Sequence, residues 1–450
     1  MKNLWRSRQM CEWDEFSQET TQLRARLAED AAGALPPFQL LAAQGVDAAE
    51  HRRCSELWTR ERRAASLPLR AALAFRHDLT DRPRLRIGYL SNDFSDHATL
   101  LLLIDSLEAH DRGRFDLHIF CFGRDDDRPL RRRLRAVAHG FHDVSGLDDS
   151  AIATAIHAAG IDILVDLKGF TQGARSGVLM LRPSPIQVNF LGYPGTLGAG
   201  LCDYIITDDY VTPPAAQADY AESFACMPDC YQPHGRAPLG AAPRRADAGL
   251  PPDAIVFCCF NQPFKITPPA FDMWLRLLEA TPGSVLWLLS SVRAEGNLRG
   301  AAMARGIDAR RLVFAPDANQ ADHMARLQLA DLVLDTAPYG AHTTASDALW
   351  AGIPVVTMRG DTFAARVAGS LLHAVGLPDL IGVDAQDYFN IAHALAAEPA
   401  RLAATKARLR AGRADAPLFD VVGYTSALER LYEAMWTGRA AAAAPIRAGR

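Results

Sequence analysis

The feature that most constrains this chain is a succession of short apolar runs, each bounded by turn residues and followed by a stretch with helical spacing. LRIGYL at 85–90, FDLHIFCF at 115–122, IDILVDL at 161–167, IQVNFLG at 186–192 and DYIIT at 203–207 form a first series. AIVFCCF at 254–260, SVLWLL at 284–289, RLVFA at 311–315, DLVLD at 331–335 and PVVT at 354–357 form a second. Apolar runs that alternate with helices in this way are the strands of parallel βαβ units. Between the two series, residues 231–252 are rich in Pro, Gly and Ala and show no apolar period, which predicts a linker. The expected fold is α/β: two doubly wound Rossmann-like domains, at 79–230 and 253–437, with a cleft between them.

Residues 1–78 contain no strand pattern, and Phe16, Leu23, Leu27, Cys54, Leu57 and Trp58 recur at helical spacing, so a helical leader is expected there. Residues 385–437 also read as helical, whereas 438–450 have little to bury and are expected to form a disordered tail. A chain of 450 residues is long enough for two well-buried cores. No repeat of the roughly 34-residue tetratricopeptide period is visible.

Composition narrows the function. With 48 Lys plus Arg against 52 Asp plus Glu, the net charge of -4 speaks against a nucleic-acid partner. No run approaches the roughly 18 apolar residues of a membrane span, so no membrane partner is expected. Eight cysteines without C-x-x-C pairs suit reduced, buried thiols and a cytoplasmic setting. Cys226, Cys230 and His234 could supply three metal ligands, but no fourth accompanies them and the segment reads as an irregular loop. Asp125-Asp126-Asp127 contains the D-x-D pattern of metal-dependent sugar transferases. Arginines flank it, so a solvated turn is the better reading and no catalytic metal is expected.

Chemistry-bearing residues gather after strands. GAHTTASDALWAG at 340–352 follows DLVLD, and Thr343 and Thr344 stand where a helix should begin. Free backbone N–H groups there could hold a diphosphate, and Asp347, one turn on, suits ribose hydroxyls. A plain Thr N-cap with a first-turn Asp is the alternative. Lys265, in the Asn261–Lys265 segment after the first strand of its domain, could neutralise a leaving diphosphate, or could be a solvated loop lysine. Asp93 and His97 follow LRIGYL, ahead of Thr99 and an apolar helix; they could relay a proton or orient a sugar, or be a cap and a surface His. The glycines of Gly192-Tyr193-Pro194-Gly195-Thr196 allow a ligand to approach the backbone.

Taken in order, LSNDFSDHAT at 90–99, LRPSPIQVNFLGYPGT at 181–196, DYIITD at 203–208, FNQPFKITP at 260–268, SVLWLL at 284–289 and QLADLVLDTAPYGAHTTASDALWAG at 328–352 resemble the catalytic region of the O-GlcNAc transferase and SPINDLY glycosyltransferases. The resemblance implies the GT-B architecture and an inverting transfer from a nucleotide diphosphate sugar, UDP-GlcNAc in the first instance, to a hydroxyl, Ser or Thr of proteins. The partners it implies are a nucleotide sugar and a protein or peptide acceptor. UDP would be a product, and no cofactor or metal is implied.

By the same resemblance, Lys265 and Gln262 lie on the donor diphosphate, Ala318 reads the base, and His323 and Arg326 contact the nucleoside. His342, Thr343 and Thr344 match the phosphate trio, and Asp347 the ribose carboxylate. Asp93, His97, Thr99 and the Gly192–Thr196 loop match the sugar and acceptor side. The chain departs from the family at several places. Pro36-Pro37-Phe38-Gln39 lacks the His that animal members carry there, Leu101 and Gln320 replace a His and a Lys, and Tyr339 replaces a Cys in the donor pocket. A GT-B nucleotide-sugar epimerase and a non-catalytic nucleotide-sugar-binding module are the alternatives.

Overall fold

Both series of apolar runs form parallel sheets in the computed structural model, which describes residues 2–29 and 35–449. The first unit of the chain comprises Arg24–Leu40, Val46–Gly235 and Pro417–Arg450; the second comprises Met1–Leu23, Leu41–Gly45 and Arg236–Ala416. In the first lie β1 (Leu85–Ser91), β2 (Phe115–Cys121), β3 (Gly140–Asp143), β4 (Ile163–Asp166), β5 (Ile186–Asn189), β6 (Tyr204–Asp208) and β7 (Ser223–Met227). In the second lie β8 (Val256–Cys259), β9 (Val285–Leu289), β10 (Leu312–Ala315), β11 (Leu332–Leu334), β12 (Val355–Met358) and β13 (Ile381–Gly382). A last short strand, β14 (Ile446–Arg447), returns to the first unit and pairs with β7.

The strand orders are β14-β7-β6-β5-β4-β1-β2-β3 and β10-β9-β8-β11-β12-β13, and every pairing is parallel. Each order reverses beside the unit's first strand, between β1 and β4 in one sheet and between β8 and β11 in the other. At such a switch point the crossovers leave to opposite faces, and a crevice opens beyond the carboxyl ends of the strands. Each unit is thus a doubly wound domain, and the two together are the GT-B type architecture.

Burial explains the near-continuous apolar runs, because β2, β4, β5, β6 and β8 are covered on both faces along their whole length. The helix Ala98–Ala109, ATLLLLIDSLEA, buries Leu100, Leu102, Leu103, Ile104 and Leu107. Each such side chain contributes about 1.5–3 kcal/mol relative to exposure. In the second unit Trp274 and Trp287 are fully buried. Trp274 Nε1–H donates to Tyr388 Oη at 3.3 Å, and Tyr388 donates on to the Asp335 carbonyl at 3.1 Å, which satisfies both polar groups in the core.

The leader is helical over Lys2–Met10, Phe16–Ala28, Pro37–Leu40 and Ala48–Leu73. It is divided between the units rather than forming a domain of its own, with the chain up to Leu23 belonging to the second. There the Trp5 ring lies 4.8 Å from that of Phe264, Asn297 Nδ2 donates to the Met10 carbonyl at 2.9 Å, and Arg8 pairs with Glu19 at 2.6 Å, both buried. The long helix Ala48–Leu73 opens on a capping box of Asp47 and Glu50.

Three boundaries differ from the sequence reading. Helices Ala385–Ala397 and Pro399–Gly412 stay in the second unit, but Val421–Thr437 belongs to the first. Tyr432 Oη meets Tyr89 Oη at 3.0 Å there, and Glu429 takes hydrogen bonds from the His110 ring and the Asp111 N–H at 2.9 and 2.7 Å. The expected tail is not all disordered chain: Ile446 lies opposite Ala225 and completes the sheet edge, satisfying backbone groups of β7. The expected linker starts later than 231, since Tyr231, Gln232 and His234 are buried in the first unit.

Candidate functional site

In the second unit the site residues converge on the β8/β11 switch point. After β8 the chain passes through Asn261 into a turn at Pro263–Lys265; after β11 it runs from Asp335 to the helix Thr343–Trp350. Lys265 is no solvated loop lysine. It is 9% exposed, its Nζ donates to the Gly340 carbonyl at 2.8 Å, and it lies 3.7 Å from the Tyr339 ring centroid. Asp335, also buried, accepts from the Thr336 and Ala341 N–H groups at 2.7 and 2.5 Å and from Thr357 Oγ1 at 2.6 Å. Burial lowers the Lys265 ammonium and raises the Asp335 carboxyl, and their mutual attraction opposes both shifts. Asn261 ties the two loops together: its Nδ2 donates to Thr336 Oγ1 at 2.8 Å, and its Oδ1 accepts from Thr344 Oγ1 at 2.5 Å.

The helix begins at Thr343 with His342 at the N-cap, and the His342 side chain makes no capping bond. The His342 ring lies 3.2 Å from the Ala364 carbonyl through Nε2, which must therefore carry the proton. Burial and the Lys265 charge hold the imidazole near about 3, so it is neutral. The first N–H groups of a helix have no intrahelical carbonyl to bond. With the Thr344 hydroxyl taken by Asn261, the backbone N–H groups of Thr343 and Thr344 and the Lys265 ammonium are the donors that can meet an anion.

On the helix Gln320–Leu327, the Arg326 guanidinium lies 4.6 Å from the Phe260 ring centroid, and its Nη2 is 3.4 Å from His323 Nδ1. His323 Nε2 is 3.7 Å from Asp347 Oδ2. Burial, then the Arg326 charge, lowers His323 to about 4. Burial likewise pushes Asp347 up to about 7, against a hydrogen bond from Gln320. Asp347 is only 5% exposed, so it is not the solvent-facing first-turn charge of the plainer reading. The structure brings together Lys265, His342, Thr343 and Thr344, and beside them His323, Arg326 and Asp347. Gln262 and Ala318 lie on exposed loop positions.

In the first unit, Asp93 Oδ2 accepts from Lys168 Nζ at 2.6 Å and lies 3.7 Å from His97 Nδ1. His97 Nδ1 accepts the Thr99 N–H at 3.2 Å, so the imidazole caps the helix Ala98–Ala109. In the Gly192–Thr196 loop, a Cβ at Gly192 would lie 2.0 Å from the Leu167 carbonyl oxygen, and Leu191 before it adopts φ of 65°. That close approach is the physical requirement for glycine. Tyr193, Pro194, Gly195 and Thr196 are buried. Thr196 Oγ1 donates to Glu222 at 2.6 Å, which makes it a brace of the loop.

The residues passed over in the sequence are Asn261, Asp335 and Lys168. Each follows a strand at a switch point within three residues, the signal that marks them in retrospect. Arginines neutralise the D-x-D turn, Asp125 pairing with Arg131 and Arg135 at 3.0 and 2.6 Å. Among the described residues no group of three or more His, Cys, Asp and Glu is placed to hold a metal, and all eight cysteines are buried free thiols. No helix among them is long and apolar enough to cross a membrane.

Known proteins resemble this chain in sequence and in fold. The model of glycosyl transferase family 41 matches residues 64–234 and 241–428. The chain is 37% identical over 362 residues to the probable UDP-N-acetylglucosamine–peptide N-acetylglucosaminyltransferase SEC of Arabidopsis thaliana, covering 78% of this chain and 37% of that protein. It is 31% identical to the UDP-N-acetylglucosamine–peptide N-acetylglucosaminyltransferase of Caenorhabditis elegans, over 81% of this chain and 42% of that protein. The chain therefore spans about two fifths of the length of these relatives. A mutant O-GlcNAc transferase of Thermobaculum terrenum superimposes with a TM-score of 0.80 at 28% identity, over 96% of this chain and 82% of that one. HepE of Anabaena, solved with UDP and glucose, shares the fold at a TM-score of 0.52 and 15% identity, over 78% of this chain and 100% of that one. With a family model that matches most of its length and both switch points occupied by the residues described, the chain belongs to glycosyl transferase family 41.

Proposed function

We propose that this chain transfers N-acetylglucosamine from UDP-GlcNAc, with inversion, to a Ser or Thr hydroxyl of a protein acceptor. The observation that carries the reading is the buried Lys265 ammonium beside the Thr343–Trp350 helix N-terminus at the β8/β11 switch point. A diphosphate bound there meets a full positive charge and two backbone donors. As the bond from the anomeric carbon to phosphate oxygen breaks, negative charge grows on the diphosphate and these groups stabilise it with no reorganisation. Asp347 holds the ribose hydroxyls, Arg326 and His323 flank the nucleoside, Ala318 reads the base, and Gln262 stands beside Lys265 on the diphosphate. On the acceptor side Asp93 takes the proton of the attacking hydroxyl, while His97, Thr99 and the Gly192–Thr196 loop shape the sugar and acceptor pocket.

The leaving charge is met by Lys265 and backbone donors, so the reaction runs without a metal or cofactor. Eight buried thiols and a net charge of -4 fit a cytoplasmic enzyme with protein rather than nucleic-acid partners. The test is incubation with UDP-GlcNAc and a Ser/Thr-rich peptide, reading UDP release and the peptide mass. Addition of one N-acetylhexosamine per modified hydroxyl supports the proposal. Isomerised sugar from donor alone marks an epimerase, and tight UDP binding without transfer to peptide or lysate marks a binding module.

A further inference from the structure

The switch point of the first unit carries a buried ion pair that bridges its two loops. Asp93 stands two residues beyond the end of β1, and Lys168 two residues beyond the end of β4. These are the strands between which the sheet order reverses. Lys168 Nζ donates to Asp93 Oδ2 at 2.6 Å, and the two side chains are 4% and 13% exposed. The backbone beneath is fixed on both sides. Asp166 accepts the N–H groups of Lys168 and Gly169 at 3.3 and 2.7 Å, and the Asp93 N–H donates to Ser91 Oγ at 2.9 Å.

His97 is not the partner that orients Asp93. Its Nδ1 accepts the Thr99 N–H, so that nitrogen carries no proton to give to the carboxylate 3.7 Å away. The directional contact on Asp93 is the one from Lys168, and it commits a single carboxylate oxygen. We propose that Lys168 is a positioning residue for glycosyl transfer, locking Asp93 Oδ2 so that Oδ1 is the oxygen that takes the proton of the attacking hydroxyl.

This rests on the transfer reading above. In the step, the acceptor oxygen bonds to the anomeric carbon and the bond from that carbon to the diphosphate oxygen breaks, its electron pair leaving with the diphosphate. The hydroxyl proton passes to Asp93 Oδ1, and Lys168 remains an ammonium throughout. A buried lysine would otherwise be a costly residue for a loop that needs only to turn.

The experiment compares wild type, Lys168→Met, Lys168→Arg, Asp93→Asn and the Lys168→Met/Asp93→Asn double variant in the full chain, with UDP-GlcNAc and a peptide the wild type modifies. UDP calorimetry checks that each variant keeps a folded donor site, and if Lys168→Met fails that check, Lys168→Gln is read in its place. Turnover of Lys168→Met is expected to fall on the order of tenfold to a hundredfold, the cost of a misplaced reacting group, with donor KM unchanged. Lys168→Arg should recover part of the loss, and the double variant should be no slower than Asp93→Asn alone. Near-normal turnover in Lys168→Met, a rise in donor KM alone, or losses that multiply in the double variant would overturn the inference and leave the transfer reading standing. A wild type that transfers nothing overturns both.

Discussion

Lys265 Nζ lies 3.7 Å from the centroid of the Tyr339 ring while the Gly340 carbonyl accepts one of its hydrogens at 2.8 Å. The ammonium is thus held before any ligand arrives, between a π face and a carbonyl. A cation–π contact of this kind is worth about 0.5–2 kcal/mol, rising with desolvation. The Tyr339 ring is thereby placed to aim the lysine. Tyr339→Phe should keep turnover within a few-fold, and Tyr339→Ala should lower it more than it weakens UDP binding. Equal effects of the two variants on steady-state rates would remove the ring from the argument.

Lys265→Met keeps the stem and removes the charge. Turnover should fall on the order of a hundred- to a thousand-fold, with a much smaller loss of donor affinity because the Thr343 and Thr344 N–H groups remain. Calorimetry beside single-turnover transfer separates the two quantities, and unchanged turnover would take Lys265 out of the mechanism.

Asp347 ties stability to pH. Burial raises its carboxyl from 3.8 to about 7, so between those values the folded chain keeps a proton that the unfolded chain has released. The stability contributed by this group is therefore present at low pH and lost as pH rises through about 7. Asp347→Asn removes the charge that burial penalises. Its Tm should exceed that of wild type by a few degrees at pH near 8 and lose that advantage near pH 5, on the order expected for a change of a kcal/mol or more. UDP affinity should fall at the same time. A variant that melts earlier than wild type at both values, with normal UDP binding, would make Asp347 a structural residue.

Chelation should leave transfer intact, since the donor charge is met by protein groups. Loss of activity in EDTA with recovery in Mn²⁺ would return attention to Asp125 and Asp127.

Gly192→Ala places a methyl group 2.0 Å from the Leu167 carbonyl oxygen, a backbone atom that cannot swing aside. Overpacking of this kind costs about 1–3 kcal/mol. Gly146→Ala, with nothing within 4 Å of the new Cβ, is the control. Urea unfolding should show the first variant with the lower midpoint and the second close to wild type.

Both doubly wound sheets were legible because β1, β2, β4, β5, β6, β8, β9, β11 and β12 are buried along all or nearly all of their length and so read as apolar runs, and the edge strand β10 keeps an apolar run although Val313 and Phe314 are partly exposed. Of the strands that were missed, β7 is buried over four of its five residues and was simply overlooked, β13 has only two residues, and β3 and β14 lack that imprint. GFHD of β3 sits at a sheet edge, partly exposed, and is held by register with β2 rather than by its composition. Ile446–Arg447 owes its strand to the backbone of β7. Lys265, Thr343 and Thr344 announced themselves by following strands into turns. Asp335 and Lys168 follow strands in the same way, but nothing local shows what Lys168 does, since its partner Asp93 lies 75 positions away. Helix Val421–Thr437 was legible as a helix, but its unit was decided by Tyr89 and His110, more than 300 positions earlier.

The return of Val421–Thr437 and Ile446–Arg447 to the first unit bears on how the chain is born. During synthesis, β1 to β7 leave the ribosome long before the helix that covers Tyr89 and His110, and the whole stretch Arg236–Ala416 emerges in between. The second unit, whose other segments are already made, has all its residues first. Folding of a nascent chain ordinarily proceeds from the N-terminal domain onward. Here the second unit is complete in sequence before the first, whose Tyr89 and His110 find their partners only on the helix Val421–Thr437.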